Sequence, residues 1–427
     1  MKILLCAVGS HGDVLPAVAL GQALQRRGHA PQLFANAAFE PLARAAGLPF
    51  TATGRAADMA DALSNPDATD ARKGLALLAQ GVLRSATQGY PLLCQAHEAG
   101  RTLVVGTSLA WSARLLSETH GTPGAVLHLA PSWLRSAHRA PSLGPLGHLA
   151  GAPRWLKRWA FGLMDRRLLD PLFTTPFNAL RARLGLAPVQ RCFDAWMHQA
   201  DCVLGLFPDW FAPRQPDWPV ALQLTGFPLD TPEADVPLPD DAAAFLAAGS
   251  APVLVTGGTA NASSHALFAS AIEACRLNRQ RALLLTQDAR QLPDTLPAGM
   301  AHFRYLPLRR LLPRVATVVH HGGIGTTAQA LQAGVPQLIR PMGFDQFDNA
   351  GRAQALGVAR TLPTGRHAPA ALARLLRMPD RDPTWRTRCA ELARQAAASQ
   401  GVAAACDAIL QMRRAAALTA PRSPADQ

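Results

Sequence analysis

Residues 320–350, HHGGIGTTAQALQAGVPQLIRPMGFDQFDNA, combine an imidazole, a glycine-rich turn and an acid–amide pair in one short stretch. The β-branched run at 315–319 predicts a buried strand, and the residues after the glycines predict a helix. A turn between a strand and a helix directs free backbone N–H groups and the positive end of the helix dipole at one point. Such a turn suits a diphosphate.

Several side chains in and after this turn suit a nucleotide diphosphate and the sugar attached to it. His321 and Thr326 can donate hydrogen bonds to phosphate, and Gly322, Gly323 and Gly325 leave room for its approach. The next predicted strand ends in a loop whose short polar side chains suit sugar hydroxyls: Asp345, Gln346, Asp348 and Asn349. Consecutive parallel strands end at the same crevice, so we expect these groups to converge. A glycine-rich turn followed by a solvated loop is the alternative without a ligand.

The length and composition indicate a compact protein with an anion-attracting surface. A chain of 427 residues holds about two domains, because single cores stop growing at about 250–300 residues. Hydrophobic residues make up 49% and charged residues 17%, which is typical of globular domains with full cores. The net charge of +13 favours nucleotides or anionic lipid. We expect no nucleic-acid partner, because zinc-finger spacing, an aromatic RNA-binding signature and long basic runs are missing.

The cysteines and the first residues predict a cytoplasmic location. The seven cysteines are scattered without a CxxC pair, which indicates reduced thiols and no metal site built on them. The initial MKILLCAV is predicted to be a first strand rather than a secretory signal, because its apolar run stops at Gly9 without a cleavage-like site. No stretch approaches the roughly 20 apolar residues that span a bilayer, so any membrane association would be peripheral.

Strand and helix signals alternate along both halves of the chain, which predicts an α/β fold with two doubly wound parallel sheets. Residues 1–225 are predicted to form the first Rossmann-like domain and residues 242–384 the second. The segment 226–241, rich in proline and acid, is predicted to be their linker. Residues 385–418 are predicted to form helices that pack back on the first domain, and residues 419–427 a frayed tail.

These motifs resemble those of the GT-B glycosyltransferases that use nucleotide sugars, a family that includes sterol and antibiotic glycosyltransferases. GSHGDVLP near the start is similar to the family's acceptor-side motif, and residues 320–350 are similar to its donor signature. The resemblance implies two Rossmann-like domains that face each other across a cleft. Residues 193–229 most resemble the rhamnosyltransferases of bacterial rhamnolipid synthesis. That likeness implies inverting transfer of L-rhamnose from dTDP-L-rhamnose to a 3-(3-hydroxyalkanoyloxy)alkanoate lipid, without a cofactor.

The family's donor-binding residues can be carried over position by position. His321 matches the diphosphate-binding histidine, Thr326 the phosphate-binding hydroxyl, and Asp345 with Gln346 the sugar-binding acid–amide pair. Gly325 stands where many relatives have asparagine, which leaves one phosphate contact to the backbone. Gln329 replaces a ribose-binding glutamate. This change is compatible with a deoxyribose donor such as dTDP, although glutamine can still bond the remaining hydroxyl.

The resemblance also implies a base site and a second phosphate loop. Tyr305 matches the aromatic position that stacks on the base, and the backbone of Leu306 would read the base edge. A tyrosine buried in the core is the alternative. Gly258 and Thr259 lie at another predicted strand end, where the family has a second phosphate-contacting loop. A plain turn is the alternative there, but the recurrence of Gly-Thr at both strand ends favours phosphate contact.

Inverting glycosyl transfer needs a base for the acceptor hydroxyl and a stabiliser for the departing diphosphate. Asp13 matches the family's base position, while His11 is the rival base or a partner of Asp13. A structural role for Asp13 as a helix N-cap is a third reading. Relatives with a histidine base orient it with an aspartate, but Thr107 and Ser108 stand there instead. We therefore expect a carboxylate base without the usual dyad, or a late deprotonation. No DxD motif lies where a divalent cation would be held, so we expect no metal.

The segment 131–191 carries ten Lys and Arg residues against two Asp residues, interleaved with large apolar side chains such as Trp155 and Trp159. This mixture predicts an amphipathic surface that lies on anionic lipid and receives a hydrophobic acceptor. The alternative is an ordinary basic helical region whose aromatic residues pack into the acceptor-domain core.

Three other functions remain compatible with these residues. The first is a related glycosyltransferase that uses a UDP- or dTDP-sugar on a sterol, polyketide or other hydrophobic alcohol. The second is a nucleotide-sugar epimerase, although GSHGDVLP and the basic region argue against it. The third is a non-catalytic sugar-nucleotide-binding partner of another synthase, which the retained Asp13, His321, Asp345 and Gln346 disfavour. The rhamnolipid resemblance also implies an acyltransferase of the same pathway as a partner.

Overall fold

A computed structural model of the protein describes residues 1–65, 67, 71–142, 149–230, 236–258, 264–362 and 368–419. Within these residues the chain forms two parallel sheets, one in each half, with helices between successive strands. The predicted fold class of two doubly wound α/β domains is confirmed.

The first half contains a parallel sheet in the order β3-β2-β1-β4-β5-β6-β7. Its strands are β1 (Lys2–Cys6), β2 (Ala30–Ala35), β3 (Phe50–Ala52), β4 (Thr102–Thr107), β5 (Gly124–His128), β6 (Cys202–Gly205) and β7 (Leu222–Leu224). Its helices are α1 (His11–Arg26), α2 (Glu40–Ala45), α3 (Ala56–Ser64), α4 (Ala71–Ala96), α5 (Trp111–His120), α6 (Arg154–Met164) and α7 (Thr175–Arg183), with π-helical Asp165–Thr174 before α7. Because the strand order reverses between β1 and β4, the loops that follow them open a crevice.

The second half contains a parallel sheet in the order β10-β9-β8-β11-β12-β13, which reverses between β8 and β11. Its strands are β8 (Val253–Thr256), β9 (Ala282–Leu285), β10 (Met300–Phe303), β11 (Thr317–His320), β12 (Gln337–Ile339) and β13 (Ala359–Thr361). Its helices are α8 (Asp240–Ala247), α9 (His265–Asn278), α10 (Leu308–Leu311), α11 (Ile324–Ala333), α12 (Gln346–Ala355), α13 (Ala368–Leu376), α14 (Met378–Arg381) and α15 (Pro383–Ala397). A last helix, α16 (Gly401–Thr419), follows.

The central strands are buried along their whole length and largely apolar, because both of their faces are covered. Every residue of β4, β5, β8 and β11 is buried. A strand covered on both sides shows a continuous apolar run rather than alternation. That is the pattern by which the sequence predicts these strands.

The return of the chain to the first domain begins later than predicted. Trp385, Cys389 and Leu392 of α15 are buried in the core of the second domain. The first part of 385–418, which forms most of α15, therefore packs on the second domain rather than on the first. Only α16 crosses back, where Cys406 and Ile409 join the core beneath α1. Both helices have an apolar face, and which core covers each face is decided by packing. The predicted tail beyond α16, residues 420–427, lies outside the described residues.

Two chain crossings between the domains pass each other in close contact. The predicted linker has neither helix nor strand at residues 226–230 and 236–239, and α8 begins at Asp240. Gly226, with φ +96°, lies against Gly401 at the start of α16. A Cβ added to Gly401 would lie 2.3 Å from the carbonyl oxygen of Phe227 and 2.7 Å from that of Gly226. Both crossings therefore need a glycine where they meet.

Candidate active site

Asp13 lies in the first turn of α1, just after the glycine-containing turn that follows β1. Its carboxylate accepts hydrogen bonds from the backbone N–H of Ser10 at 2.8 Å and from the Ser10 hydroxyl at 3.2 Å. Ser10 rather than Asp13 is the N-cap of α1, but Asp13 does have a structural role at the helix start, because it completes the capping box. Gly9 has φ +136°, and a Cβ there would lie 2.2 Å from the Asp13 carboxylate. The turn thus holds this carboxylate in one position.

The neighbouring candidates have other contacts. His11 begins α1, and its ring packs edge-on against Phe39 with the centroids 5.0 Å apart. The hydroxyl of Thr107 accepts a backbone N–H from the residue before Gly9 at 3.1 Å. The buried hydroxyl of Ser108 lies 2.9 Å from Nδ1 of His128. Of the two residues that replace the family's aspartate, Thr107 therefore binds the backbone that follows β1. Ser108 contacts a buried histidine inside the first domain.

His321 follows β11 and is enclosed by two glycines. A Cβ at Gly258 would lie 2.4 Å from Cε1 of His321, and a Cβ at Gly323 would lie 2.4 Å from its Nε2. Burial lowers the pKa of His321 to about 4, so the imidazole is neutral at pH 7. Its Nδ1 is buried and has no hydrogen-bond partner among the described residues. Such an atom is costly to bury unless a ligand satisfies it.

The start of α11 is also open to a ligand. Gly323 is its N-cap and supplies no side-chain cap, so the first backbone N–H groups of the helix keep their hydrogen-bonding capacity. His320, which is fully buried, supports the turn between β11 and α11. Nδ1 of His320 accepts from the N–H of Gly322 at 3.1 Å, while its Nε2 lies 3.0 Å from the amide oxygen of Gln337. His320 was not among the predicted site residues.

Asp345 lies immediately before α12, and a buried amide orients it. Asn349 donates to the Asp345 carboxylate at 2.7 Å and to the carbonyl of Gly322 at 3.0 Å. The side-chain oxygen of Gln346 accepts from the N–H groups of Met342 and Gly343 at 2.8 and 3.1 Å. The acid of the predicted pair is therefore positioned by its surroundings, while the amide oxygen shapes the loop.

The carboxylates of Asp13 and Asp345 belong to different domains but influence each other across the cleft. Burial raises the pKa of Asp13 to about 6, although its two bonds from Ser10 oppose the shift. Burial also raises the pKa of Asp345 to about 6; the bond from Asn349 opposes this shift, and the negative charge of Asp13 adds to it. An acid of the first domain and an acid of the second therefore lie within electrostatic range of each other.

The same two-domain arrangement is found in known proteins. Residues 3–138 match the glycosyltransferase family 28 N-terminal domain, and residues 273–409 match the erythromycin biosynthesis protein CIII-like C-terminal domain. The chain is 32% identical to the O-mycaminosyltylonolide 6-deoxyallosyltransferase of Streptomyces fradiae, covering 95% of this chain and 96% of that protein. The chain belongs to the GT-B glycosyltransferases. It is also 33% identical to glycosyltransferase GtfE of Amycolatopsis orientalis, over 84% of this chain and 85% of that one.

Solved structures agree on the fold of this glycosyltransferase. The glycotransferase of kitacinnamycin superposes with a TM-score of 0.73 at 19% identity, covering 96% of this chain and 98% of that one. The Streptomyces sp. SF2575 glycosyltransferase SsfS6, solved with thymidine diphosphate, superposes with a TM-score of 0.61 at 21% identity, covering 96% and 99%. The comparisons support glycosyl transfer in general and do not single out the rhamnolipid enzymes.

The other predicted donor residues of this glycosyltransferase are spread along the second sheet. Tyr305, just after β10, is 46% exposed, so the alternative of a core tyrosine is wrong. Leu306 is buried in the core, which leaves only its backbone for a base. Thr326 and Gln329 lie half-buried on α11, and Gly325 is exposed. Thr259 lies outside the described residues.

Two residues predicted to read sugar hydroxyls have structural contacts instead. Gln346, Asp348 and Asn349 lie on α12 rather than in a loop. Asp348 is buried and pairs with Arg352 at 2.6 Å, while its other oxygen accepts the N–H of Ser142 from the first domain at 3.1 Å. Asn349 is fully buried between Asp345 and the phosphate turn. Both polar side chains therefore have partners within the protein, and only Asp348 reaches the other domain.

One further residue beside the site was missed. Phe344 precedes Asp345, is 59% exposed and has φ +52°. A bulky residue in the left-handed region is strained, and such strain concentrates at functional sites. No pattern in the sequence indicates this conformation. The role of Asn349, by contrast, could have been found from its spacing of four residues from Asp345 on a helix.

The basic segment 131–191 divides into an inner and an outer part. Arg135 pairs with buried Asp165 at 2.7 Å, and Arg181 pairs with Glu118 at 2.6 Å. The aromatic residues of the inner part pack into one apolar cluster, which includes Trp111, Phe173, Phe177 and Trp196. Trp155 and Trp159 on α6 are 69% and 57% exposed. The prediction of core packing is right for the inner part and for Phe161 of α6, but wrong for Trp155 and Trp159.

Neither a metal cluster nor a membrane-spanning helix is found in the part of the chain that the structure describes. No group of three or more His, Cys, Asp or Glu side chains within the described ranges is placed to hold a metal ion. No helix among the same residues is both long and apolar enough to cross a membrane.

Proposed function

We propose that this glycosyltransferase moves a deoxyhexose from a dTDP-sugar to a hydroxyl of an apolar acceptor of the polyketide or antibiotic type, with inversion at the anomeric carbon. The observation that carries the proposal is the buried Nδ1 of His321, which has no partner among the described residues and lies on a turn that Asn349 ties to the carboxylate of Asp345. The carboxylate of Asp13, from the other domain, is close enough for its charge to act on Asp345. One carboxylate can act on the acceptor while the other holds the sugar.

The order of residues along the second sheet supports a nucleoside diphosphate sugar as donor. Tyr305 follows β10, Gly258 follows β8, His321 follows β11 and Asp345 follows β12. Neighbouring strands are about 4.8 Å apart, so β10 and β8 are separated by about 10 Å, on the order of one nucleoside. Base, diphosphate and sugar would therefore meet an aromatic ring, a helix start and a carboxylate in that order.

Three observations favour dTDP over a ribonucleoside diphosphate. Gln329 stands where a carboxylate would hold both ribose hydroxyls, and deoxyribose lacks one of them. A relative at 32% identity is named for 6-deoxyallosyl transfer, and one structural neighbour was solved with thymidine diphosphate.

The proposed chemistry is a single displacement at the anomeric carbon. The Asp13 carboxylate accepts the proton of the acceptor hydroxyl while that oxygen bonds to the anomeric carbon. The bond from the anomeric carbon to the diphosphate oxygen breaks on the opposite face, and the diphosphate leaves with the electron pair. The N-terminus of α11 and the N–H of neutral His321 stabilise its charge. Because these groups face the leaving group, we propose that transfer needs no divalent metal.

An apolar acceptor is supported by the surroundings of Asp13. Val8, one residue before Gly9, packs on the aromatic cluster of the first domain. Partly buried Trp133 and Phe193 stack there with ring centroids 6.0 Å apart. An apolar alcohol that lies on these side chains would present a hydroxyl near the turn that holds Asp13.

A second candidate is transfer of L-rhamnose from dTDP-L-rhamnose to a 3-(3-hydroxyalkanoyloxy)alkanoate. The exposed tryptophans and arginines of α6 favour it, because they suit a lipid-bound acceptor. An acyltransferase that makes such a lipid would then be a pathway partner. The named relatives at 32% and 33% identity favour the first candidate.

A donor-by-acceptor assay read by mass spectrometry tests both candidates. dTDP-L-rhamnose, a dTDP-deoxyhexose and UDP-glucose are each offered with a macrolide aglycone, a sterol and a hydroxyalkanoyloxyalkanoate, with and without chelator. We expect products from dTDP-sugars only, unchanged by chelator and abolished by Asp13→Asn. Product on the lipid alone would select the second candidate. No product from any pair would overturn the proposed activity, and loss with chelator would overturn metal independence.

A further inference from the structure

Helix α6 carries an exposed aromatic face that the core does not use. Trp155 and Trp159 are 69% and 57% exposed and lie four residues apart, so they share one side of the helix. Lys157 and Phe161 are buried on the opposite side, where Phe161 also meets the guanidinium of Arg135 at 5.9 Å. The helix is therefore anchored by one face and presents two large indoles on the other.

Basic residues surround this face. Arg154 and Arg158 are exposed beside the tryptophans along α6, and Arg166 and Arg167 follow in the first turn of the π-helical segment. All four are exposed, and none forms an ion pair with a carboxylate among the residues that the structure describes. Arginines nearer the core, by contrast, are paired with Asp165 and Glu118.

We propose that α6 lies flat on an anionic lipid surface, with Trp155 and Trp159 at the headgroup boundary and the four arginines on lipid phosphates. Indoles combine apolar area with one N–H donor and concentrate at membrane interfaces, and basic side chains add attraction to anionic headgroups. A second copy of the chain is a poorer occupant. A twofold contact of this face with itself would bring the unpaired arginines of both copies together.

The docking surface is continuous with the acceptor side of the site. Leu169 and Leu172, in the π-helical segment that follows α6, pack on the apolar cluster that also contains Val8 beside the Asp13 turn. An apolar acceptor dissolved in the lipid would reach the site along these side chains. This route to the site rests on the proposed function, whereas lipid binding itself does not.

Vesicle flotation with the full chain tests the docking. Vesicles of equal parts phosphatidylglycerol and phosphatidylcholine are compared with pure phosphatidylcholine, at low and high salt. We expect binding to the anionic vesicles only, weakened by salt. Trp155→Ser with Trp159→Ser should weaken it by about tenfold or more, through loss of buried indole area. Arg154→Glu with Arg158→Glu should weaken it similarly, since each lost basic residue accounts for about fivefold before reversal is counted.

Matched variants at other surface positions test whether lipid binding depends on α6 rather than on exposed apolar area or positive charge in general. Val220→Ser with Leu277→Ser removes apolar side chains that are 96% and 51% exposed, and Arg381→Glu with Arg394→Glu makes the same charge change on exposed arginines. Both controls should bind like the wild type. Equal binding to neutral and anionic vesicles, or equal binding by α6 and control variants, would overturn the proposal. So would a concentration-dependent dimer that the tryptophan variant alone abolishes.

A turnover assay with a water-soluble acceptor distinguishes failure of lipid docking from failure of the proposed function. The α6 variants should keep wild-type turnover there and lose turnover only on an acceptor presented in anionic vesicles. Lipid binding without any glycosyl transfer would leave α6 docking standing and overturn the activity instead.

Discussion

The side-chain amide of Asn349 donates one hydrogen bond to the carboxylate of Asp345 at 2.7 Å and another to the carbonyl of Gly322 at 3.0 Å. Gly322 belongs to the turn that would bind diphosphate, and Asp345 is the acid that would bind the sugar. One buried side chain therefore fixes the distance between the two halves of the donor site.

Replacing Asn349 should impair catalysis more than its effect on folding explains. Asn349→Ser leaves the Asp345 carboxylate unanchored, and we expect kcat/KM for the sugar nucleotide to fall by about tenfold to a hundredfold. Stability should fall by about 1–3 kcal/mol, because buried polar atoms lose their partner. Asn178→Ser is the matched control, since Asn178 makes two bonds to Val189 within the first domain and none to the donor turn. It should lower the melting temperature but retain kcat/KM; equal kinetic losses in both variants would contradict the role of Asn349.

The glycine before α11 should be essential for donor binding. A Cβ in Gly323→Ala would lie 2.4 Å from Nε2 of His321 and displace its ring, so we expect affinity for dTDP to fall by about tenfold or more. Gly351→Ala, on α12, is the control, because the space around Gly351 is open. It should bind dTDP like the wild type. Isothermal titration calorimetry with both variants measures this difference, and equal affinities would refute the role of the enclosed imidazole.

Activity should depend on pH near 6. Asp13 acts as base only when ionised, and its raised pKa is about 6, so kcat/KM should fall by about tenfold for each pH unit below that value. The repulsion between Asp13 and Asp345 is mutual, so Asp345→Asn should lower the pKa of Asp13 and shift this acid limb to lower pH. A pH profile of residual activity in Asp345→Asn, unchanged from the wild-type midpoint, would contradict the coupling.

Asp13 should support catalysis at the expense of folding stability. Its folded pKa lies above its unfolded value, so its contribution to stability is present below about pH 4 and is lost as the pH rises through about 6. Asp13→Asn keeps a group that can accept from Ser10 but removes the charge. We expect it to be inactive and, at pH 7, more stable by on the order of 1 kcal/mol, after discounting for partial exposure. Thermal melts at pH 4 and pH 7 should show the gain at pH 7 only.

The crossing of the two interdomain segments should tolerate no side chain. Gly401→Ala would place its Cβ 2.3 Å from the carbonyl oxygen of Phe227, and we expect a loss of about 1–3 kcal/mol in unfolding free energy. Gly351→Ala, on α12 with open space around it, is the control and should be neutral or stabilising. The midpoint of denaturant unfolding should therefore fall in Gly401→Ala and stay unchanged or rise in Gly351→Ala.

Much of the candidate donor site can be predicted from short stretches of the sequence. The apolar runs of β8 and β11 predict buried parallel strands because both faces of such strands are covered. The histidine, glycines and threonine after β11 predict a phosphate-binding helix start because neighbouring residues alone create it. Asp345 and Asp13 follow strand ends, and the strand order of each sheet brings those ends to its cleft edge.

Other features depend on which surfaces meet. The engagement of Asp348 by Ser142, the passage of α16 to the first domain while α15 stays on the second, and the exposure of Trp155 are not local properties. An apolar or polar side chain of the same type is buried, paired or exposed according to what packs against it. The sequence by itself determined the two sheets, the glycine-rich turn between β11 and α11 and the two candidate acids. Only tertiary structure decided that Asp13 and Asp345 share one electrostatic site, because their charges couple only after the two domains close around a common cleft.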